Sequence, residues 1–426
     1  MEKNRSIVRT MMMVCGAFAI FFTGFPHVWS IYQPYAMELT GWSQGQTSMC
    51  FYLAMATFVF GNIFGGRLQD KYSPRLAVSI GGGIFTAGIL LSAFAMLPSP
   101  VMIYLTYGVM QGFGQGMIYT TIISTAQKWF PGRPGLASGI VVTANGLCGF
   151  FLAPLSRMLL AEIGISNTLL IVGAMIAVSW GLGWKFIKNP ENTQENEKER
   201  KKQKGRQYTS GEMVRTKKFY YLLCTMLFGL ISYLILSPLS QTVQIDRGIS
   251  VSIAVSAVML GSICNAGTRL ALPALADKIG RIGCIKAVLL VSVAAMCLLI
   301  AGPAPLTTLC VVLMYGCYGG IMGSFPSLTS SIFGMEHSGE NYGFVMIGIV
   351  IATFAAPAVT GVVSAGGLDI NVAFGAGAAS AVLSFISLIL LERELKKECG
   401  IQNCERTKES GISGKMCDSV CKAVNK

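Results

Sequence analysis

Residues 65–75 read GGRLQDKYSPR, and residues 272–281 read LPALADKIGR. Each stretch ends a long apolar run with an acid, a lysine and a nearby arginine, and its acid, Asp70 or Asp277, lies 207 positions from the other. Two more pairs repeat at similar offsets: YGVMQGFGQG from 107 with YGCYGGIMGS from 315, and LAP from 152 with AAP from 355. The chain is therefore internally duplicated, which is typical of transporters whose binding site lies between two halves near mid-membrane.

The composition indicates a membrane protein. Of 426 residues, 53% are hydrophobic and 12% charged, whereas soluble proteins carry roughly 25% charged residues. Apolar runs of about 20 residues, long enough to cross a bilayer as helices, recur along the chain. The runs are too long for barrel strands and lack their alternation. The twelve predicted spans are 8–32, 44–66, 76–97, 101–123, 136–160, 167–187, 219–241, 251–274, 283–302, 306–330, 341–364 and 369–391.

These spans predict an all-α membrane fold of two pseudo-symmetric six-helix bundles around a central cavity. The predicted domains are an N-terminal bundle (1–188), a charged linker (189–218), a C-terminal bundle (219–391) and a tail (392–426). No small-residue cleavage site follows the first span, so we expect an uncleaved helix and not a signal peptide.

The basic residues fix the expected orientation. If the N-terminus is cytoplasmic, 30 of the 33 Lys and Arg residues fall on the cytoplasmic side, and only Arg157, Arg247 and Arg269 do not. This bias obeys the positive-inside rule, so both termini are expected in the cytoplasm and the protein in the cytoplasmic membrane. The net charge of +13 is then expected to meet anionic lipid headgroups, and not nucleic acid.

The motif G-x-L-x-D-K-x-x-P-R after span 2, with its weaker copy after span 8, resembles the loop motif of the major facilitator superfamily. The resemblance covers nearly all of residues 8–391 and implies that superfamily's transporter fold. The sequence departs from the usual motif at Tyr72 and at Ser73-Pro74, where a glycine normally precedes the arginine.

A narrower resemblance lies in GFPHVWSIYQPY (24–35) and GWSQGQTS (41–48), which are similar to the oxalate:formate antiporter family. That family and the related monocarboxylate transporters carry an arginine in span 8, and the run NAGTR places Arg269 at that point. The oxalate carriers also place a lysine in span 11, where this chain has Ile349, and a tyrosine in span 1, where it has His27. Both departures argue against oxalate itself.

Arg269 is the strongest candidate for substrate binding. It lies eight residues before Asp277, about 12 Å along a helix, and a charge at that depth costs about 2.5–3.5 kcal/mol on insertion scales. The planar guanidinium suits a carboxylate, and no Asp or Glu lies in the middle of another predicted span. The alternatives are a structural pair within the protein and a side chain that snorkels to the interface.

Span 1 carries a dense polar and aromatic patch of His27, Trp29, Tyr32 and Gln33. One interpretation is a pocket wall in which His27, titrating near neutral pH, couples transport to protons. The other is an interfacial aromatic belt.

Further polar residues recur in spans 4 and 10. Gln111, Gln115 and Tyr119 follow one helical stripe, and Tyr315 and Tyr318 lie in the matching span of the second half. These side chains either line the substrate path or form hydrogen bonds to neighbouring helices.

The two loop motifs supply six candidate gating residues: Asp70, Lys71, Arg75, Asp277, Lys278 and Arg281. In the superfamily that the chain resembles, this loop holds one conformational state, so we expect gating contacts that break and re-form. The alternative is that the basic residues act only as a topology signal.

No cofactor is expected. Gly108, Gly112, Gly114 and Gly116 lie in an apolar span with no preceding strand, where small residues serve close helix packing rather than nucleotide binding. The sequence has no phosphate-binding G-x4-G-K-[ST] motif and only two histidines, His27 and His337, so neither an ATP motor, a zinc site nor hydrolase chemistry is predicted. Cys399, Cys404, Cys417 and Cys421 lack the usual zinc spacing and are expected to be free thiols of the tail.

The sequence therefore predicts no enzyme but a secondary transporter of a small organic anion that works by alternating access, with Arg269 on the substrate carboxylate. A missing lysine in span 11 favours a monocarboxylate such as lactate, pyruvate or formate over a dianion, although oxalate/formate exchange stays open. Protons or a counter-transported anion are the expected coupling partners. The alternatives are proton-coupled efflux of drugs or other amphiphiles and a transporter-like receptor.

Overall fold

The structure is a computed structural model that describes residues 2–190 and 206–410, which contain helices and no β-strand. The helices are α1 (Glu2–Phe21), a 3-10 helix (Phe22–Val28), α2 (Trp29–Thr40), α3 (Gln44–Lys71), α4 (Pro74–Ser92), α5 (Val101–Ile103), a π-helix (Tyr104–Gln111), α6 (Gly112–Trp129), α7 (Pro134–Gly183), α8 (Ser210–Met213), α9 (Lys217–Leu236), a 3-10 helix (Ser237–Leu239), α10 (Thr242–Asp246), α11 (Val251–Ile279), α12 (Arg281–Ala301), α13 (Ala304–Phe333), α14 (Ser338–Val345), α15 (Ile347–Ala365) and α16 (Ile370–Ser410).

Within the described residues, ten helical segments are long and apolar enough to cross a membrane. One of them, α7, has 50 residues and is interrupted at Gly164, whose φ of 74° lies outside the helical region. The break divides α7 into the two predicted spans 136–160 and 167–187. The predicted span 101–123 is also helical, as the consecutive α5, π-helix and α6. The all-helical fold with twelve spans is thus confirmed.

The chain forms two compact units. The first, unit 1, comprises Met1–Ser210 with Thr329–Val350, and the second, unit 2, comprises Gly211–Leu328 with Ile351–Lys426. The predicted domain boundaries stay a prediction. Of the tail cysteines, Cys417 and Cys421 lie outside the described residues, and the side chains of Cys399 and Cys404 in α16 are not described either.

Local sequence signals explain where the helices begin and end. Ser43 caps α3 in a capping box with Gln46, and Ser73 caps α4 just before Pro74. Such caps satisfy the backbone N–H groups that the first helical turn leaves without acceptors. Gly280, with a φ of 106°, ends α11 after the second loop motif, a conformation that side chains other than glycine rarely adopt.

In unit 1, α3 and α6 pack backbone to backbone through glycines. A Cβ atom on Gly61 would lie 2.0 Å from the carbonyl oxygen of Phe113, and one on Gly116 would lie 2.0 Å from that of Phe58. No side chain fits at either point. The glycine-rich run of span 4 therefore serves close helix packing, as expected for membrane helices.

In unit 2, the duplicated run serves the same purpose between α11 and α13. A Cβ atom on Gly319 would lie 2.2 Å from the carbonyl oxygen of Asn265, and one on Gly323 would lie 2.5 Å from that of Arg269. This contact, which we call the glycine seam, holds the backbone of Arg269 directly against α13.

Candidate functional site

Arg269 lies on α11 inside unit 2 and is only 4% exposed. Its Nε donates a hydrogen bond to Oδ1 of Asn265, one turn earlier, at 2.9 Å. The Oγ1 of the neighbouring Thr268 donates to the carbonyl oxygen of Gly316 at 2.8 Å and ties the same turn to α13. The guanidinium is thus placed by its own helix and by the glycine seam, and not by a flexible loop.

The guanidinium carbon of Arg269 lies 5.6 Å from the ring centroid of Tyr318. This separation suits a cation–π contact, which stabilises a cation in a water-poor setting by about 0.5–2 kcal/mol. Tyr318 in turn stacks on Tyr233 of α9, with ring centroids 4.2 Å apart and planes at 21°. The guanidinium of Arg269 therefore lies next to a pair of stacked aromatic rings.

Tyr315 completes this group of rings. Its ring meets Tyr233 edge to face at 5.1 Å, and its hydroxyl lies 3.4 Å from that of Ser240. The structure therefore brings together Arg269, Tyr315 and Tyr318, three of the predicted site residues. We call Arg269, Tyr233, Tyr315 and Tyr318 the arginine–tyrosine cluster.

A second aromatic group lies inside unit 1. Trp29 and Tyr32 are 1% and 0% exposed, and Trp29 lies 4.3 Å from Tyr107 of the π-helix, centroid to centroid. Tyr32 shares a hydrogen bond of 2.9 Å with Ser156 of α7. Both predicted site residues thus lie within the protein and not in an interfacial belt.

The other two residues of the span-1 patch point elsewhere. Gln33 Nε2 donates to Thr47 Oγ1 at 2.8 Å, and Trp29 Nε1 donates to the Thr47 carbonyl oxygen at 2.9 Å, so this i,i+4 pair docks α2 on α3. His27 is exposed, and its ring lies 6.2 Å from that of Phe51.

The polar stripe of span 4 is internally hydrogen-bonded. Gln111 Nε2 donates to Gln115 Oε1 at 2.6 Å, and Gln115 Nε2 donates to the carbonyl oxygen of Thr23 at 2.6 Å. Tyr119 packs its ring edge to face on Phe58 at 5.2 Å. The stripe therefore joins α6 to the 3-10 helix of span 1 and to α3.

The acid of the first loop motif, Asp70, lies in a group of polar contacts within unit 1. Asp70 Oδ1 accepts from Lys128 Nζ at 2.7 Å, with both side chains less than 10% exposed. Asp70 Oδ2 accepts from the backbone N–H of Glu340 in the first turn of α14 at 3.3 Å. A carboxylate at a helix N-terminus is favourably placed for the helix dipole.

The same end of α14 touches α3 and α6 at further points. Ser338 shares a hydrogen bond of 2.7 Å with Ser124, and Thr120 Oγ1 donates to the carbonyl oxygen of Gly339 at 3.1 Å. A Cβ atom on Gly66 would lie 2.2 Å from the carbonyl carbon of Gly339. We call this set of contacts around Asp70 the α14 clasp.

The remaining loop-motif residues are arranged differently. Arg75 Nη2 donates to the carbonyl oxygen of Lys185 at 2.5 Å. Asp277 pairs with Arg281 across the start of α12 at 2.8 Å. Lys71 and Lys278 are exposed. The gating assignment of all six residues stays a prediction.

The sequence model of the Major Facilitator Superfamily matches residues 12–357. The chain belongs to this superfamily. As a Major Facilitator Superfamily member, it is a multi-pass membrane transporter and not an enzyme.

Two curated relatives show which transporters of the superfamily the chain resembles. The oxalate:formate antiporter of Oxalobacter formigenes is 26% identical over 392 residues, which cover 90% of this chain and 89% of the antiporter. Monocarboxylate transporter 13 of Bos taurus is 34% identical over 123 residues, which cover 29% of this chain and 28% of that protein. The expected resemblance to these two groups is therefore confirmed, at modest identity.

Among solved structures, that of the Escherichia coli fucose:proton symporter superposes with a TM-score of 0.68 at 14% identity. The match covers 90% of this chain and 98% of the symporter. At this identity the likeness supports the Major Facilitator fold and nothing finer.

Sequence reasoning missed Tyr233, Asn265 and Tyr107. Tyr233 lies in the run ISYLIL of span 7, where its hydroxyl and that of Ser232 among aliphatic residues are the available signal. Asn265 belongs to the NAGTR run, one helical turn before Arg269, where the i,i+4 rule predicts contact. Tyr107 lies in the glycine-rich run but gains its position from the π-helix, which the sequence does not predict.

Proposed function

We propose that this chain transports a small monocarboxylate by alternating access and that the substrate carboxylate pairs with Arg269. The observation that carries the proposal is the placement of a buried guanidinium on the face of Tyr318. A guanidinium keeps its charge at every physiological pH and offers paired donors that match the two oxygens of a carboxylate.

The rings around Arg269 suit a small, flat organic anion. Aromatic faces supply apolar contact to the carbon skeleton of the anion. Tyr315 and Tyr318 both pack against Tyr233, so the three rings form the aromatic side of the cluster. This combination favours formate, lactate or pyruvate.

The charge of the site supports a monoanion over a dianion. The sequence has the apolar residue Ile349 where oxalate carriers place a lysine. One fixed positive charge balances one carboxylate, whereas a second carboxylate would enter a water-poor site without a counter-charge, at a cost of several kcal/mol.

The names of the two curated relatives support the same substrate class, an oxalate:formate antiporter and a monocarboxylate transporter. We place the protein in the cytoplasmic membrane with both termini inside, on the distribution of its basic residues. Exchange against a second anion and symport with a proton both fit.

The test is counterflow of labelled formate, lactate, pyruvate and oxalate in proteoliposomes that contain the wild-type protein or Arg269→Gln. We expect uptake of at least one monocarboxylate, little uptake of oxalate, and a loss of about 10- to 100-fold in the variant, since a hydrogen bond to a charged group contributes about 1.5–3 kcal/mol.

Arg157→Gln is the matched control, because Arg157 is an exposed arginine of α7 outside the arginine–tyrosine cluster. It should transport like the wild type. Full counterflow of every accepted anion by a well-folded Arg269→Gln protein would refute the site assignment.

A further inference from the structure

The chain that leads into the second half is not merely a connector, because its last residues are bound to the end of α13 and the start of α14. Residues Arg206–Ser210, which we call the linker strap, run into α8 and lie beside the turn Gly334–His337 between α13 and α14. Tyr208 is the buried residue of the strap, at 8% exposed. It has specific contacts to lose if the strap leaves.

Tyr208 is bound through its backbone on both sides. Its N–H donates to the carbonyl oxygen of Phe333, the last residue of α13, at 2.9 Å. Its carbonyl oxygen accepts from Nδ2 of Asn341 in α14 at 2.9 Å. One residue of the strap thus bridges the end of one helix and the first turns of the next.

Side chains add to this bridge. The ring of Tyr208 meets that of Phe333 edge to face at 5.6 Å. Gln207 Oε1 accepts from the backbone N–H of Glu336 at 3.1 Å. Ser210 Oγ donates to Oε1 of Glu340 at 2.8 Å.

The strap and the α14 clasp hold the same residues from different sides. Glu340 receives Ser210 on its side chain, while its backbone N–H donates to Asp70 at 3.3 Å. Asn341, which is 0% exposed, follows directly. The strap therefore contacts the same turn of α14 that presents its backbone N–H to Asp70.

We propose that the linker strap is a latch: it orders the first turn of α14, keeps the backbone N–H of Glu340 in place for Asp70 and so stabilises the α14 clasp. Release of Tyr208 frees the turn Gly334–His337 and weakens the clasp. The latch acts on a conformational equilibrium and is independent of which substrate the protein carries.

The test is hydrogen–deuterium exchange of the purified full-length protein in lipid nanodiscs, wild type beside Tyr208→Ala. We expect roughly fivefold faster exchange in peptides that cover residues 334–345 and in peptides that cover residues 66–71 of α3, on the other side of the clasp, the factor that corresponds to losing the aromatic pair with Phe333. Peptides from α9 and α16 should keep wild-type rates.

Tyr220→Ala is the matched control, because Tyr220 is a 54% exposed tyrosine at the start of α9. It should leave residues 334–345 unchanged. If Tyr208→Ala accelerates exchange throughout the protein, the milder double variant Gln207→Ala/Ser210→Ala decides, since it removes two strap hydrogen bonds and no buried ring.

Faster exchange in residues 66–71 of that double variant, together with residues 334–345, supports the latch. Faster exchange restricted to residues 206–210 and 334–345, with residues 66–71 at wild-type rates, overturns it in either variant. A strap with a merely local role would give the latter result, because the loss of its own contacts would not propagate to α3.

Discussion

At the scale of single residues, two buried tyrosines of unit 1 differ in how their hydroxyls are satisfied. Both Tyr32 and Tyr107 are 0% exposed. The hydroxyl of Tyr32 pairs with Ser156, whereas that of Tyr107 has no hydrogen-bond partner among the described residues. A buried hydroxyl without a partner costs about 1–3 kcal/mol, while one with a partner contributes about 0.5–1.5 kcal/mol.

This difference predicts opposite effects for the same substitution. Tyr107→Phe removes a desolvated hydroxyl and should leave the melting temperature unchanged or raise it. Tyr32→Phe leaves the Ser156 hydroxyl without its partner and should lower the melting temperature. The free energy of unfolding should fall by about 1 kcal/mol. Thermal unfolding of the two variants in the same detergent measures both, and a larger loss for Tyr107→Phe would contradict the assignment.

The proposed function gives the ring of Tyr318 a role that its hydroxyl does not share. Tyr318→Leu removes the aromatic face on which Arg269 lies and should raise the KM of transport roughly 2- to 30-fold, the range of a cation–π contact of about 0.5–2 kcal/mol. Tyr318→Phe keeps the face and should stay near the wild-type KM. Equal KM values for the two variants would show that the ring does not assist substrate binding.

At the scale of helices, the glycine seam decides how closely α11 approaches α13. Its glycines are not interchangeable with other glycines of the same helices, because a Cβ atom on Gly319 would collide with the Asn265 carbonyl oxygen at 2.2 Å, while one on Gly267 would meet nothing within 4 Å. Backbone atoms cannot move aside as a flexible side chain can.

Gly319→Ala should therefore force the two helices apart and destabilise the protein by about 1–3 kcal/mol, the range seen for overpacking. Gly267→Ala should be neutral or stabilising, because alanine favours a helix over glycine by about 1 kcal/mol. Melting temperatures of both variants test the contrast. Equal behaviour would mean that the seam relaxes without cost.

Most of the architecture was predictable from sequence because span length and charge bias are dictated by the bilayer. The twelve apolar runs were correctly predicted to be helices, and the close packing of the glycine-rich run was correctly predicted as well. The contacts of Asp70 with α14 were not predictable, because residues 270 positions apart meet there. Tyr233 was missed because periodicity cannot tell which face of an apolar helix meets an arginine.

At the scale of the whole molecule, the two loop motifs are similar in sequence but differ in the contacts that their acids make. The acid of the first loop motif, Asp70, pairs with Lys128 on another helix, and both side chains are buried. The acid of the second, Asp277, pairs with Arg281 four residues on, and that arginine is 21% exposed. The acid of the first copy therefore joins two helices, whereas the acid of the second makes a local contact at a helix start.

Asp70→Asn should be the more damaging of the matched variants. It leaves the Lys128 ammonium buried beside a neutral amide, and breaking a buried pair costs about 3–5 kcal/mol. Asp277→Asn breaks a local, partly solvated pair that contributes about 0–1 kcal/mol. Melting temperatures compare the two, and Asp70→Asn/Lys128→Met should recover part of the loss. A greater loss for Asp277→Asn would contradict this ranking.

The glycine seam also has a consequence for directed evolution. It fixes the backbone of Arg269 without using the rings of Tyr233 and Tyr318, so the framework and the lining of the cluster are encoded by different codons. Under the proposed function, a saturation library restricted to those two positions would sample new substrate preferences on a constant scaffold. Selectivity would then drift over generations while the membrane fold that carries it stays intact.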